Sequence, residues 1–188
     1  MCSWSDIHQG YLHTGFTRVT AALYRRAASV RYRVRVATDA RASLISEIFV
    51  AFEGVRLGRG IGLFEAQGLD DYADAEERKA LRERDEKDNW TVLSPDALNR
   101  ANSSLSFFDA EGMRFHLPAY LVADLRGDYK FGVVFTLCQA AVREEPFALF
   151  SGPQQAAVRH YLEFIAKDPS YEFDYPDIQR CLAGYWSA

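Results

Sequence analysis

Leu105-Ser106-Phe107-Phe108-Asp109-Ala110-Glu111-Gly112-Met113-Arg114-Phe115-His116-Leu117 is the stretch on which the fold class turns. Two short apolar segments, Leu105–Phe108 and Met113–Leu117, flank four residues of turn type, Asp109 to Gly112. Apolar runs of this length around a turn signal predict a small antiparallel hairpin. Pro118 comes next and is pre-set for the first turn of a helix, so a helix over Ala119–Leu125 is expected, stopped by Gly127. Phe131–Leu137 is a further β-rich run. The fold class that follows is α+β with helices dominant, about six or seven of them around a short antiparallel hairpin or small sheet.

The helices are read from periodicity and punctuation on either side. Thr38 or Asp39 is placed to cap a helix through about Glu53, with Leu44, Ile45, Ile48, Phe49 and Phe52 on one stripe and Gly54 as the stop. Gly58-Arg59-Gly60-Ile61-Gly62 is a glycine-rich joint, and Leu63–Tyr72 a short helix expected to break near Gly68. Asp74-Ala75-Glu76-Glu77 has the form of a capping box that opens a highly charged helix to about Lys87. Ser94-Pro95 is a cap followed by an N1 proline. Ser151-Gly152-Pro153-Gln154 and Asp174-Tyr175-Pro176-Asp177 open two closing helices, the first with Val158, Tyr161, Leu162 and Ile165 inward, the second with Ile178, Cys181, Leu182 and Tyr185.

Composition narrows the class. With 188 residues, 48% hydrophobic and 26% charged, the chain is long enough for one domain with a sizeable core. Three cysteines, Cys2, Cys138 and Cys181, show neither disulfide-framework nor zinc spacing and suit a reducing compartment, so a cytoplasmic location is expected. No apolar run reaches the length of a membrane span, and the start lacks a secretory signal pattern. The charge is unevenly spread. Residues 1–45 carry seven arginines against Asp6 and Asp39, a net of +5, while the remaining 15 basic and 24 acidic residues leave −9. The division expected is a basic N-terminal segment, 1–38, as a strand or extension, and a single acidic domain, 39–188. An acidic body repels nucleic acid and attracts basic partners.

Chemistry-bearing motifs are sparse. Gly58-x-Gly60-x-Gly62 lacks the GxGxxG and GK[ST] patterns and follows a helix, so it reads as a turn rather than a phosphate loop. His116 and His160 lack a second ligand at metal-binding spacing, and His8 and His13 are poorly spaced for one helix face, so no metal or other cofactor is expected. Cys138 reads as a buried, inert thiol and Cys181 as a core residue. Adjacent carboxylates on a helix point about 100° apart, so Asp70-Asp71 and Glu144-Glu145 make no ready acid/base dyad. What stands out is a dense acidic patch: Asp70, Asp71, Asp74, Glu76 and Glu77, bracketed by the aromatics Tyr72 and Trp90. Aromatic anchors in a charged rim compose a protein–protein hot spot.

Three segments carry a resemblance: Leu69-Asp70-Asp71-Tyr72 with Glu76-Glu77, Trp90 and Ser94-Pro95; Leu105–Asp109 with Met113–Leu121, which contains Leu117-Pro118-Ala119-Tyr120; and Phe150-Ser151 with Gln154-Gln155 and Val158–Phe164. Together they resemble a family of small bacterial proteins of unknown function with an LPAY-containing core, over roughly residues 44–167. The resemblance implies no catalytic residues and points to association with toxins. The function expected is a non-enzymatic partner-binding protein, an immunity protein that occludes a toxin's basic or active-site surface through Asp70, Asp71, Tyr72, Asp74, Glu76, Glu77 and Trp90. The alternatives are a hydrolase-type enzyme using His116 or His160 with a carboxylate, and a nucleic-acid-binding regulator using Arg31, Arg33 and Arg35 of the alternating segment Val30–Val36.

Overall fold

A computed structural model describes residues 38–141 and 143–187, almost all of them within the unit Arg41–Ala188. The segment Val30–Val36, and with it the expected arginine strand, lies outside the described residues.

Where the sequence reading places a hairpin, the chain forms one long helix. It runs Ala110–Arg126, and the α+β assignment gives way to an all-helical fold with no strand among the described residues. Asp109, taken for the start of a turn, is the cap of this helix: its Oδ1 accepts the Gly112 N–H at 2.8 Å and the Ile61 N–H at 3.0 Å. The strand-like run Met113–Leu117 is apolar because the helix is buried on almost every side, 12 of its 17 residues being inaccessible. A short apolar run looks the same in a strand and in an encircled helix. Pro118 lies in mid-helix rather than at its start. Its ring removes the N–H that would bond the carbonyl of residue 114, a local cost that the surrounding burial overrides. The helix ends as expected, with Gly127 at φ 77°.

The other two strand assignments fail for related reasons. Leu105 belongs to a 3-10 turn, Ser104–Ser106. In the run Phe131–Leu137, Val133, Val134 and Leu137 are buried and Phe135 is exposed, which is a helical spacing, and Val134–Cys138 is a short helix.

In chain order the helices are α1 (38–51), α2 (Leu63–Asp70), α3 (Ala75–Arg84), α4 (Pro95–Arg100), α5 (Ala110–Arg126), α6 (Val134–Cys138), α7 (Gly152–Ile165) and α8 (Tyr175–Ala183). α5 is the central element, packed against α4 and the 3-10 turns Trp90–Val92 and Glu145–Phe147. α2 pairs with α3, and α8 packs on both α6 and α7. One continuous core joins Ile48 and Phe52 of α1, Leu98 of α4, most of α5, Leu137 of α6, Val158, Tyr161 and Leu162 of α7, and Ile178 of α8.

Helix ends leave carbonyls short of intrahelical partners, and at three of them a carbonyl that already takes a turn N–H also accepts from a buried aromatic donor elsewhere in the chain. Trp90 Nε1 donates to the Phe52 carbonyl just past α1 at 2.9 Å, Tyr120 Oη to Ala101 at the end of α4 at 3.2 Å, and Trp186 Nε1 to Leu137 near the end of α6 at 3.0 Å. Each bond fixes a helix end to a distant element, so short helices with little stability of their own are held by tertiary contacts.

The joint before α2 shows the same device with a carboxylate. Gly62 caps α2 but has no side chain to do so. The Asp85 carboxylate fills the place, accepting from Phe64 N–H at 2.8 Å and Glu65 N–H at 3.1 Å. A Cβ on Gly62 would lie 2.1 Å from Asp85 Oδ2, and one on Gly60 would lie 2.5 Å from the Gly112 nitrogen. The glycines therefore serve close approach rather than a ligand. Arg82 holds the joint from above, donating to the Gly58 carbonyl at 3.0 Å and to the Gly60 carbonyl. α3 stops at Arg84, earlier than Lys87, because Asp85 turns to extended backbone to make this cap. α2 runs through Gly68 without the expected break.

Candidate functional site

The acidic segment forms the corner between α2 and α3. α2 ends in a six-residue closing motif: the Ala73 N–H bonds the Gly68 carbonyl at 2.8 Å and the Tyr72 N–H bonds Leu69 at 3.4 Å. The residue at the pivot of such a motif adopts left-handed backbone, which favours glycine. Here it is Tyr72, at φ 59°, the one non-glycine residue with positive φ among those described. Its ring is 95% exposed. Ala73 and Asp74 then turn the chain into α3. Asp74 Oδ1 accepts the N–H groups of Glu76 and Glu77, both at 2.9 Å, and Glu77 Oε2 accepts the Asp74 N–H at 2.9 Å. The capping box is present as read.

The five carboxylates separate on physical grounds. Asp74, Glu76 and Glu77 sit at the N-terminus of α3, where the helix dipole favours negative charge, and two of them cap it. Folding accounts for them. Asp70 and Asp71 sit at the C-terminus of α2, where the dipole disfavours negative charge. Asp71 Oδ1 accepts from Gln67 Nε2 at 3.1 Å, and Gln67 Oε1 in turn accepts the Ser103 N–H at 3.1 Å. Among the described residues none of the five forms an ion pair. All five are exposed. A shallow groove runs under Tyr72, lined by Gly68, Asp71, Ala73, Glu77, Leu81 and Arg84.

Trp90 does not join this surface. It is 3% exposed, holds the end of α1 and packs at a tilt against Phe49, the ring centres 5.0 Å apart. The sequence brackets the patch with two aromatics; the fold leaves Tyr72 alone there, with Trp90 in the core.

The histidines lie apart. His116 is fully buried in α5, its ring parallel to Phe108 at 4.4 Å, with Nδ1 2.7 Å from the Gly112 carbonyl and Nε2 without a partner among the described residues. Burial pushes its pKa down to about 4, so the ring is neutral at pH 7. His160 on α7 meets Glu47 of α1 at 2.7 Å on the half-exposed surface. That pair has the right partners for acid/base work, but it stands in the open. Concavities open beside Met113 and Phe147, under Tyr72 and in two places beside Trp90, and neither histidine lines any of them.

Three polar clusters escaped the sequence reading. One is the Asp85 cap; burial raises its pKa against the lowering effect of the two backbone donors. The second is Asp124, whose Oδ2 accepts the hydroxyls of Tyr161 and Tyr171, both at 2.6 Å, tying α5 to α7 and to the 3-10 turn Pro169–Tyr171. Burial again raises the carboxyl, and the two phenols pull it back. The third brings Cys138 and Cys181 together, their sulfurs 2.8 Å apart. Each joins residues tens of positions apart, and no local spacing announces such a pair.

Among the described residues no helix is long and apolar enough to cross a membrane. No curated protein and no solved structure matches the chain. Residues 40–188 match a family of unknown function, DUF6714. The match extends beyond the 44–167 of the sequence resemblance and takes in α8. The chain therefore belongs to this family of unknown function.

Proposed function

We propose that this protein acts by binding another protein, and that the α2–α3 corner is the docking surface. The observation that carries the reading is Tyr72: a large aromatic ring, fully in water, on left-handed backbone where folding favours glycine. Strain of this kind costs about 1–3 kcal/mol and concentrates at functional sites. Its neighbours Asp70 and Asp71 are likewise set against the helix dipole. Three adjacent residues thus work against local stability, and a partner that covers the ring and meets the carboxylates with basic groups gives them a use. Opposite charge would speed encounter, and burial of the ring would slow release.

Within that class we propose an immunity role, in which the corner occludes the basic or active-site surface of a toxin. The acidic body and the sequence resemblance support it.

The test begins with capture from the native host and identification of the bound protein. Association of the purified pair is then followed against ionic strength. Reversing Asp70, Asp71 and Glu76 to Lys is expected to slow association at least tenfold at low salt and to flatten its salt dependence. Tyr72→Ala is expected to speed dissociation, by about 2 kcal/mol or more if the ring is an anchor. A pair whose rates ignore both changes binds elsewhere, and the α2–α3 reading is then wrong.

A further inference from the structure

We infer that Cys138 and Cys181 are an oxidisable dithiol, and that closing the bond between them staples α6 to α8. The sequence separates them by 43 positions and gives neither a partner, yet their sulfurs stand 2.8 Å apart as free thiols. A disulfide has sulfurs about 2.05 Å apart, so the remaining gap is under an ångström. Cys138 is the last residue of α6 and part-exposed; Cys181 is buried in α8. Cys138 is the more exposed of the two residues and Cys181 the more buried, the order of an attacked and a resolving cysteine. The rest of the contact is already in place. α6 and α8 pack together, and Trp186 beyond α8 donates to Leu137, the neighbour of Cys138. Oxidation therefore asks for no rearrangement of the fold.

The oxidant is a low-molecular-weight disulfide. The Cys138 thiol hydrogen-bonds Cys181 and favours its ionisation, so the pair loses its first proton from Cys181. The remaining proton crosses the 2.8 Å contact, and the more exposed Cys138 sulfur, now the thiolate, attacks one sulfur of the small disulfide, breaking that S–S bond and releasing one small thiol. Cys181 then loses its proton and attacks Cys138 Sγ, expelling the second small thiol and leaving the protein disulfide. Two protein thiols are oxidised and one small disulfide is reduced to two thiols. A reducing compartment keeps the pair open and an oxidising one closes it, so the pair reports redox state through the rigidity of the C-terminal helix.

The test uses the full-length chain with Cys2→Ser, reduced, freed of reductant and incubated with oxidised glutathione at about pH 8. The expected result is a mass loss of about 2 Da, a non-reduced digest that joins Cys138 to Cys181, and a rise of roughly 10 °C in the unfolding midpoint that dithiothreitol reverses. Glutathione retained on Cys138 without a Cys138–Cys181 peptide overturns the proposal, as do two thiols that still alkylate after prolonged incubation. A bond that forms without raising the midpoint refutes the staple. Cys138→Ser in the same background should show neither the link nor the rise. Should that variant not fold, the digest of the Cys2→Ser chain decides alone.

Discussion

α5 and α3 are both helices of ordinary length, and they are held by opposite means. α5 buries 12 of its 17 residues and carries a proline and a histidine in its interior. α3 buries none of its ten and is held by a capping box, an acidic first turn and a basic last turn. One helix is made by its surroundings, the other by its own punctuation. The difference predicts where substitutions hurt, and it explains why one helix was legible and the other was not.

The largest effect should come from cutting α5. Phe115 is fully buried against the core, and Phe115→Ala should cost about 3–5 kcal/mol by urea unfolding. A side chain on the outer face of α3, such as Lys79→Ala, should change stability by about 0.5 kcal/mol or less. Equal losses at the two positions would break the contrast.

The same contrast governs legibility. The caps at Asp74, Ser94-Pro95 and Ser151 to Gln154 are local, and the helices they open were readable from residue types alone. Leu105–Leu117 was not, because complete burial erases the 3.6-residue period and leaves an apolar run that suits a strand equally well. The candidate site divides in the same way. Asp70, Asp71 and Tyr72 were visible as residue types, but the left-handed backbone that singles out Tyr72 arises from bonds back to Gly68 and Leu69. Trp90 was misplaced because an aromatic near a charged run carries no sign of which way it faces. Asp85, Asp124 and the Cys138–Cys181 pair belong to tertiary structure alone.

His116 sharpens the comparison through pH. In the unfolded chain the ring takes up a proton near its ordinary pKa of 6.5, while in α5 it does so only near 4. The stability that this neutral ring allows above pH 6.5 is therefore lost as pH falls towards 4, by about 3 kcal/mol in all, and changes little below that. Asp85 and Asp124 act in the opposite sense. Burial raises their pKa values, so the folded chain takes up protons ahead of the unfolded one and gains stability as they protonate. His116→Gln should flatten the fall between pH 6.5 and 4 in unfolding titrations. An undiminished slope would mean that the acid sensitivity arises elsewhere.

Asp85 joins the two modes, since it stands at the end of α3 and caps α2 from a buried position. Asp85→Ala removes two acceptors from the first turn of α2 and should cost about 1–2 kcal/mol, read by thermal unfolding. Asp74→Ala removes an exposed cap and should cost about 1 kcal/mol. The buried cap is expected to show the larger loss even though burial charges it for desolvation, because its place cannot be refilled by water.

The smallest effect should have the opposite sign. Tyr72 occupies left-handed backbone with its ring in water, so the fold loses nothing by giving up the side chain and gains by relaxing the backbone. Glycine also widens the unfolded ensemble, which takes back part of that gain. Tyr72→Gly should therefore raise stability slightly, by up to about 1 kcal/mol, in the same urea titrations. The sign is what matters. A residue kept at a position where its removal stabilises the chain is kept for something other than folding, and Tyr72→Gly should then lose binding while gaining stability. Were the substitution to destabilise the protein, the ring would be contributing to the fold, and the main physical reason for placing a partner at this corner would be gone.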